Sequence, residues 1–218
     1  ANDYLSVRKN LPVIESVSWN GILEQTLRIS AKYAEYFGMR KWKHSKILYR
    51  EISDESGDFL DCYVVYTNLY NLKMMFIRCS SIRILKIRNV KNTSKSELTT
   101  IINTIRNNEI EELSVNCIFY NNKFAENVLY LVERILTKRL VLTSPGRILT
   151  AIKSNNLSLS SFIFDATSRV PELVLLGNSY RLHNKPRAYW EDVASIIETK
   201  HSVKTTILLE RQHFKLVI

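Results

Sequence analysis

The sequence predicts an α/β fold built from repeat-like strand–helix units behind a smaller N-terminal helix-plus-hairpin region. Three observations predict it. First, short β-type runs recur ahead of helix-type runs: Ile82-Arg-Ile-Leu-Lys-Ile87 before Ser96 to Asn107, Glu112 to Cys117 before Lys123 to Leu136, and Arg139 to Thr143 before Gly146 to Lys153. Second, the apolar starts at Ile82, Leu113 and Leu140 lie 31 and 27 residues apart, a spacing typical of stacked α/β repeats. Third, with 45% hydrophobic and 24% charged residues the 218-residue chain has globular composition and enough length for one good core or two small ones. Strand–helix arrays of this kind usually form scaffolds or recognition surfaces.

From the N-terminus, residues 1–77 read as the helix-and-hairpin region. Ala1 to Ser18 is expected to be irregular and is broken by Pro12. Ile22, Leu23, Leu27, Ala31 and Ala34 follow helical spacing up to Phe37, with Gly38 as the stop. Ile47 to Ile52 and Phe59 to Tyr66 read as two strands around the polar turn Ser53 to Asp58, in which Gly57 supplies conformational freedom. Residues 78–218 carry the strand–helix units and a C-terminal cap. There Ser158 to Phe164 alternates like a strand, and Pro171 to Leu176 is a short apolar run. Pro186 to Thr199 reads as a helix with Trp190, Val193 and Ile197 on one face. Thr205 to Leu209 and Phe214 to Ile218 read as a closing strand pair.

The formal net charge is +10, and it is concentrated. Arg40, Lys41, Trp42, Lys43 and Lys46, with Arg50 just beyond, form a basic run without an acid. A second basic region runs from Arg78 through Arg83, Lys86 and Arg88 to Lys95. Apolar and basic residues interleave from Ile82 to Val90, so a basic stripe is expected to project from the sheet. Such a stripe would suit phosphate if long and continuous, and Trp42 could stack on a base. Acids lie close by at Glu51, Asp54, Glu55, Asp58 and Asp61, and at Glu109, Glu111 and Glu112. The carboxylates around the turn are read as a solvated acidic loop rather than a metal site.

Catalytic constellations do not stand out. Cys62, Cys79 and Cys117 lack C-x-x-C spacing and read as buried, reduced thiols. His44, His183, His201 and His213 fall outside metal-ligand spacings and read as surface residues. No phosphate loop, dinucleotide fingerprint or nucleophile elbow occurs, and neither a cofactor nor a metal is expected. The apolar runs are too short to span a bilayer, and no basic-then-apolar leader opens the chain. An intracellular location, cytoplasmic or nuclear, is expected.

Ile82-Arg-Ile-Leu-Lys-Ile-Arg-Asn89 and Leu113-Ser-Val-Asn-Cys117 resemble the L-x-L-x-x-N core of a leucine-rich repeat, with Asn89 and Cys117 at the Asn/Cys position. Over roughly residues 80–176 the chain thus resembles a divergent leucine-rich-repeat-like protein. Its Asn/Lys/Ile-rich, Gly-poor composition and element order also resemble the substrate-binding region of nematode-type F-box-associated proteins. The resemblance implies that the polar residue hydrogen-bonds the turn out of the strand, and that the protein is a scaffold or adaptor. The sequence therefore favours a non-enzymatic recognition module meeting a protein partner through Arg83, Lys86, Arg88, Ser114 and Asn116. The alternative is a nucleic-acid-binding module using residues 40–50 and 78–95.

Overall fold

The structure, a computed structural model, describes residues 10–38, 48–66, 68–105, 108–118, 120–144, 147–148, 154, 157–177, 186–201, 204–211 and 214–217. It is a mixed α/β fold. Its strands are β1 (Val13–Gly21), β2 (Glu24–Ser30), β3 (Leu48–Ser53), β4 (Phe59–Val65), β5 (Ser81–Ile87), β6 (Glu109–Asn116), β7 (Thr137–Thr143), β8 (Glu172–Gly177), β9 (Lys204–Arg211) and β10 (Phe214–Val217). The helices are α1 (Ala34–Phe37), α2 (Tyr70–Ile77), α3 (Lys95–Ile105), α4 (Asn122–Val132), α5 (Leu157–Thr167) and α6 (Arg187–His201). The chain falls into two compact units, Ala1–Arg88 with Ser94–Glu111, and Asn89–Thr93 with Glu112–Ile218.

In the first unit the strands run in the order β5-β1-β2-β4-β3. β5 lies parallel to β1, and every other neighbouring pair is antiparallel. Period-2 alternation is clean in β2 and β4: Gln25, Leu27 and Ile29, and Leu60, Cys62 and Val64, are buried, with half-buried residues between them. Helices α2 and α3 add Leu72, Met75 and Phe76, and Leu98, Ile101 and Ile105, to the core.

Two expectations fail here. Residues 1–9 of the stretch expected to be irregular up to Ser18 lie outside the described residues. From Val13 onward it belongs to β1, since Ile14, Val17 and Trp19 are buried and Pro12 stands just before the strand, where its missing N–H costs nothing. The first half of the helix expected from Ile22 to Phe37 is the β1–β2 turn and β2, and the 3-10 turn Ala31–Tyr33 and α1 are helical. The deciding residue is Gln25. It occupies a core position in the alternation, and its Nε2 donates to the Gly21 and Ile22 carbonyls at 3.0 and 3.3 Å, closing the β1–β2 turn. Ile22 and Leu23, which suggested a helix face, are exposed in that turn.

The other N-terminal expectations match the structure. Gly38 ends α1 at φ +63°. The β3–β4 hairpin forms with Gly57 at φ +74°, a backbone conformation that costs glycine little. The strand at Ile82 is not separate from the N-terminal region, because β1 is its parallel neighbour with Ile14 opposite Ile82 and Trp19 opposite Ile87.

In the second unit the order is β10-β9-β8-β7-β6. β7, β8 and β9 are parallel, and β10 closes antiparallel on β9. The end pair and α6 lie where the sequence placed them. The strand expected at Ser158 to Phe164 is instead the helix α5. Among its described side chains Leu159, Phe162 and Ala166 are buried, at helical spacing. Parallel neighbours β7 and β8 require a crossover between them, and a helix is its usual form. Local alternation therefore lost to topology. The unit's core combines Leu113, Val115, Leu140, Leu142, Leu173 and Leu175 with Phe124, Val128 and Leu131 of α4 and Trp190, Val193 and Ile197 of α6. The helix expected at Gly146 to Lys153 lies largely outside the described residues.

A common burial register recurs in successive strands. Buried triads at spacing i, i+3, i+5 are Ile82/Leu85/Ile87, Ile110/Leu113/Val115, Thr137/Leu140/Leu142 and Val170/Leu173/Leu175. Their first members are 28, 27 and 33 residues apart. Ile14/Val17/Trp19 shows the same register in β1.

Candidate functional site: the polar strand positions

In the first unit, the positions alternating with the core carry a set of charged and aromatic side chains. Arg28 on β2 reaches Asp61 at 3.1 Å and Asp54 at 3.1 Å, and its guanidinium lies 4.7 Å over the Phe59 ring. β4 places Asp61 directly opposite Arg28, so the ion pair is a cross-strand pair held by register. Burial pushes the Asp54 carboxyl up, but the Phe59 N–H, the Ser56 hydroxyl, the Arg28 guanidinium and the Gly57 N–H outweigh it and hold the pKa below the ordinary 3.8. The carboxylates read from sequence as a solvated loop thus include two that anchor a guanidinium. Next along the sheet, Arg50 lies 4.9 Å over the Tyr63 ring. The Tyr63 hydroxyl titrates above its ordinary 10, chiefly because it is hydrogen-bonded to Glu24. Asn20 donates to the Thr26 hydroxyl at 3.1 Å.

The expected basic stripe on β5 divides between two faces. Alternation puts Arg83 with the buried Leu85 and Ile87, and its Nε donates to Glu15 at 2.7 Å. Lys86 and Arg88 fall on the other face with Ile84, and both are exposed. Lys86 stands opposite Ser18 of β1, and Ile84 opposite Ser16. The structure therefore brings Lys86 and Arg88 together and leaves Arg83 out. Arg50 is exposed on β3, while Arg40, Lys41, Trp42, Lys43 and Lys46 lie outside the described residues, as do His44, His183 and His213.

In the second unit, Arg139 on β7 bridges Glu172 on β8 at 3.0 Å and Glu112 on β6 at 3.4 Å. The row spans three adjacent strands. The Glu172 hydrogen bond is the main reason the Arg139 guanidinium titrates even higher than usual. Alternation places Ser114 and Asn116 on the same face of β6 as Glu112. Ser114 is half-buried, whereas Asn116 is exposed and accepts from the Ile118 N–H at 3.0 Å, fixing the turn out of the strand. Beside this row the face becomes apolar, because Val141 and Val174 are only 4% and 9% exposed.

The two residues matched to the repeat motif behave differently. The Cys117 thiol donates to the Thr143 carbonyl at 3.0 Å, and the Cys117 N–H meets the same oxygen at 2.9 Å. Burial pushes this thiol up to about 12, which makes it a hydrogen-bonding strut rather than a nucleophile. Asn89 instead takes a left-handed conformation at φ 52° and accepts from the Thr93 hydroxyl through its carbonyl. The side chain that ties down that turn is Asn127 of α4. It is buried and donates to the Val90 and Thr93 carbonyls at 2.7 and 3.0 Å.

All three cysteines are buried thiols. Among the described residues, no group of three His, Cys, Asp or Glu is placed to hold a metal, and no helix is long and apolar enough to cross a membrane. The residues that sequence reasoning missed are Arg28, Tyr63 and the Glu112–Arg139–Glu172 row. The alternation of Gln25, Leu27 and Ile29 could have exposed the first. No known family model, curated protein or solved structure matches the chain.

Proposed function

We propose that the protein is a non-enzymatic recognition module, a scaffold or adaptor that meets an acidic protein partner through the polar strand positions and adjoining loops. The observation that carries this reading is the contrast among the strand cations. Arg28, Arg83 and Arg139 are each held by carboxylates, whereas Lys86 and Arg88 stand exposed at the end of β5. Partner-facing charges should be of the second kind, because charges already paired add little to association. The recurring buried triads and the Cys117 thiol bonded to the neighbouring strand end support reading the units as a divergent leucine-rich-repeat-like array, similar to the substrate-binding region of nematode-type F-box-associated proteins. The intracellular location belongs to the same reading.

The test is the double variant Lys86→Glu/Arg88→Glu. A purified partner obtained by affinity capture should bind the unmutated protein in calorimetry and bind the variant at least about tenfold more weakly. Labelled single- and double-stranded oligonucleotides form the second arm. Binding that remains tight at physiological salt, and weakens by orders of magnitude between about 50 and 200 mM, would turn the reading to the nucleic-acid alternative.

A further inference from the structure

The exposed face of α2 is a second, independent surface. Its Leu72, Met75 and Phe76 are buried, whereas Tyr70, Met74 and Ile77 are 66%, 40% and 49% exposed. These three sit at i, i+4 and i+7, one stripe of a helix. Three large apolar side chains in a row are far from the isolated exposed leucine that any surface tolerates. Both ends of the helix are hydrogen-bonded: Asn68 Oδ1 accepts from the Tyr70 N–H at 2.9 Å at its start, and the Arg78 N–H closes on the Met75 carbonyl at 3.0 Å at its end. Cations flank it, since Lys73 and Arg78 are exposed and the helix Tyr70–Ile77 contains no acid. At its C-terminal end the Tyr36 hydroxyl donates to the Arg78 carbonyl at 3.1 Å, and the Arg78 guanidinium lies 4.5 Å over the Tyr36 ring.

We infer that this stripe is a docking site for an acidic amphipathic helix of another protein, its apolar face on Tyr70, Met74 and Ile77 and its carboxylates toward Lys73 and Arg78. The i, i+4, i+7 spacing is that of helix-on-helix anchors, and the flanking charge selects an acidic occupant. A second copy of the chain fits poorly. Its net charge is +10, and a symmetric contact on this stripe would set Lys73 and Arg78 near their own counterparts. A nucleic acid also fits poorly, because one face of the Tyr36 ring is already taken by Arg78 and its edge packs on Phe37 with centroids 5.1 Å apart.

The test uses the full chain and three fluorescein-labelled synthetic peptides, read by anisotropy. One is a helix-forming peptide with Leu at i, i+4 and i+7 and Glu on its flanks, one has the same composition scrambled, and one carries Lys in place of Glu. The acidic helix should bind, the scramble should bind about tenfold more weakly, and the Lys version should not bind. Met74→Glu should weaken the acidic helix about tenfold while the native circular dichroism persists. Should Met74→Glu lose that dichroism, Tyr70→Glu, at the most exposed position of the three, carries the same comparison. Equal binding of the scramble, or unchanged affinity in the folded variant, would overturn the inference. So would an unmutated protein that sediments as a dimer and becomes monomeric with Met74→Glu, which would make the occupant a second copy. Lys86→Glu/Arg88→Glu should leave this peptide's affinity unchanged, which separates the α2 surface from the strand surface.

Discussion

In β2 and β4 of the first unit every core residue is followed by a half-buried one, while in β7 of the second unit Leu140, Val141 and Leu142 are buried in succession. The antiparallel sheet therefore keeps a wet face and fills it with paired charge, as around Arg28. β7 and β8 are buried on both faces, at Leu140, Val141 and Leu142 and at Leu173, Val174 and Leu175, which is the general habit of parallel strands. The difference teaches where binding determinants can sit. In the first unit they can lie along the strands, whereas the interiors of β7 and β8 are committed to packing and the paired charges Arg139 and Glu172 stand near the starts of those strands.

The largest expected effect tests whether β7 is committed on both faces. Leu142→Ala should cost about 2–5 kcal/mol by chemical denaturation, and Val141→Ala, on the opposite face, should still cost more than about 1 kcal/mol. Ser18→Ala on the half-buried side of β1 should stay within about 0.5 kcal/mol. A Val141→Ala cost as small as that of Ser18→Ala would break the comparison.

An intermediate effect is expected where a helix is tied down by a buried amide rather than by apolar packing. Asn127→Ala removes the two donors that satisfy the Val90 and Thr93 carbonyls. It should cost about 1–3 kcal/mol, whereas replacing the α4 cap, Asn121→Ala, whose side chain accepts from the Phe124 N–H at 2.8 Å, should cost about 1 kcal/mol. Equal, negligible costs for both would show that the turn ahead of α3 is held by other contacts.

The same contrast explains what could be read without coordinates. β7 and β8 were legible because a run such as Leu140-Val-Leu142 has no polar member to confuse it, and the β3–β4 hairpin because its turn chemistry is local. β1 and β2 were not, because Gln25 holds a core position and the exposed Ile22 and Leu23 imitate a helix face. Ser158 to Phe164 reads as an alternating strand, and the helix that forms there answers the need to cross from β7 to β8. For the candidate site, Lys86 and Arg88 were legible as exposed charge. The pairing of Arg83 with Glu15 was not, since those residues are 68 apart in sequence and meet only through the β1–β5 register.

A smaller effect separates the ionic clusters of the two units. Arg28→Met and Arg139→Met each break an arginine shared by two carboxylates, with 34% and 41% of the side chain exposed. Each should therefore cost no more than about 1 kcal/mol, and less in high salt. A salt-independent loss several times larger would mean that either cluster behaves as a buried network.

The smallest effect is the pH response of Asp54. Its folded pKa lies below 3.8 because hydrogen bonds and Arg28 together outweigh its burial. A depressed carboxyl binds its proton less readily in the folded state than in the unfolded one. Its contribution to stability is therefore fully present above the unfolded value of about 3.9 and is lost as pH falls through the folded value. Asp54→Asn should consequently melt below the unmutated protein at neutral pH, and the gap between the two melting temperatures should close as pH drops past about 3.8. Arg28→Met should narrow the gap at neutral pH without abolishing it, because the Phe59 and Gly57 N–H groups and the Ser56 hydroxyl still favour the ionised form. A melting-temperature gap that stays constant from neutral pH into strong acid would show that Asp54 acts through its hydrogen-bonded shape alone, and the wet face of the first unit would then owe its order to register rather than to charge.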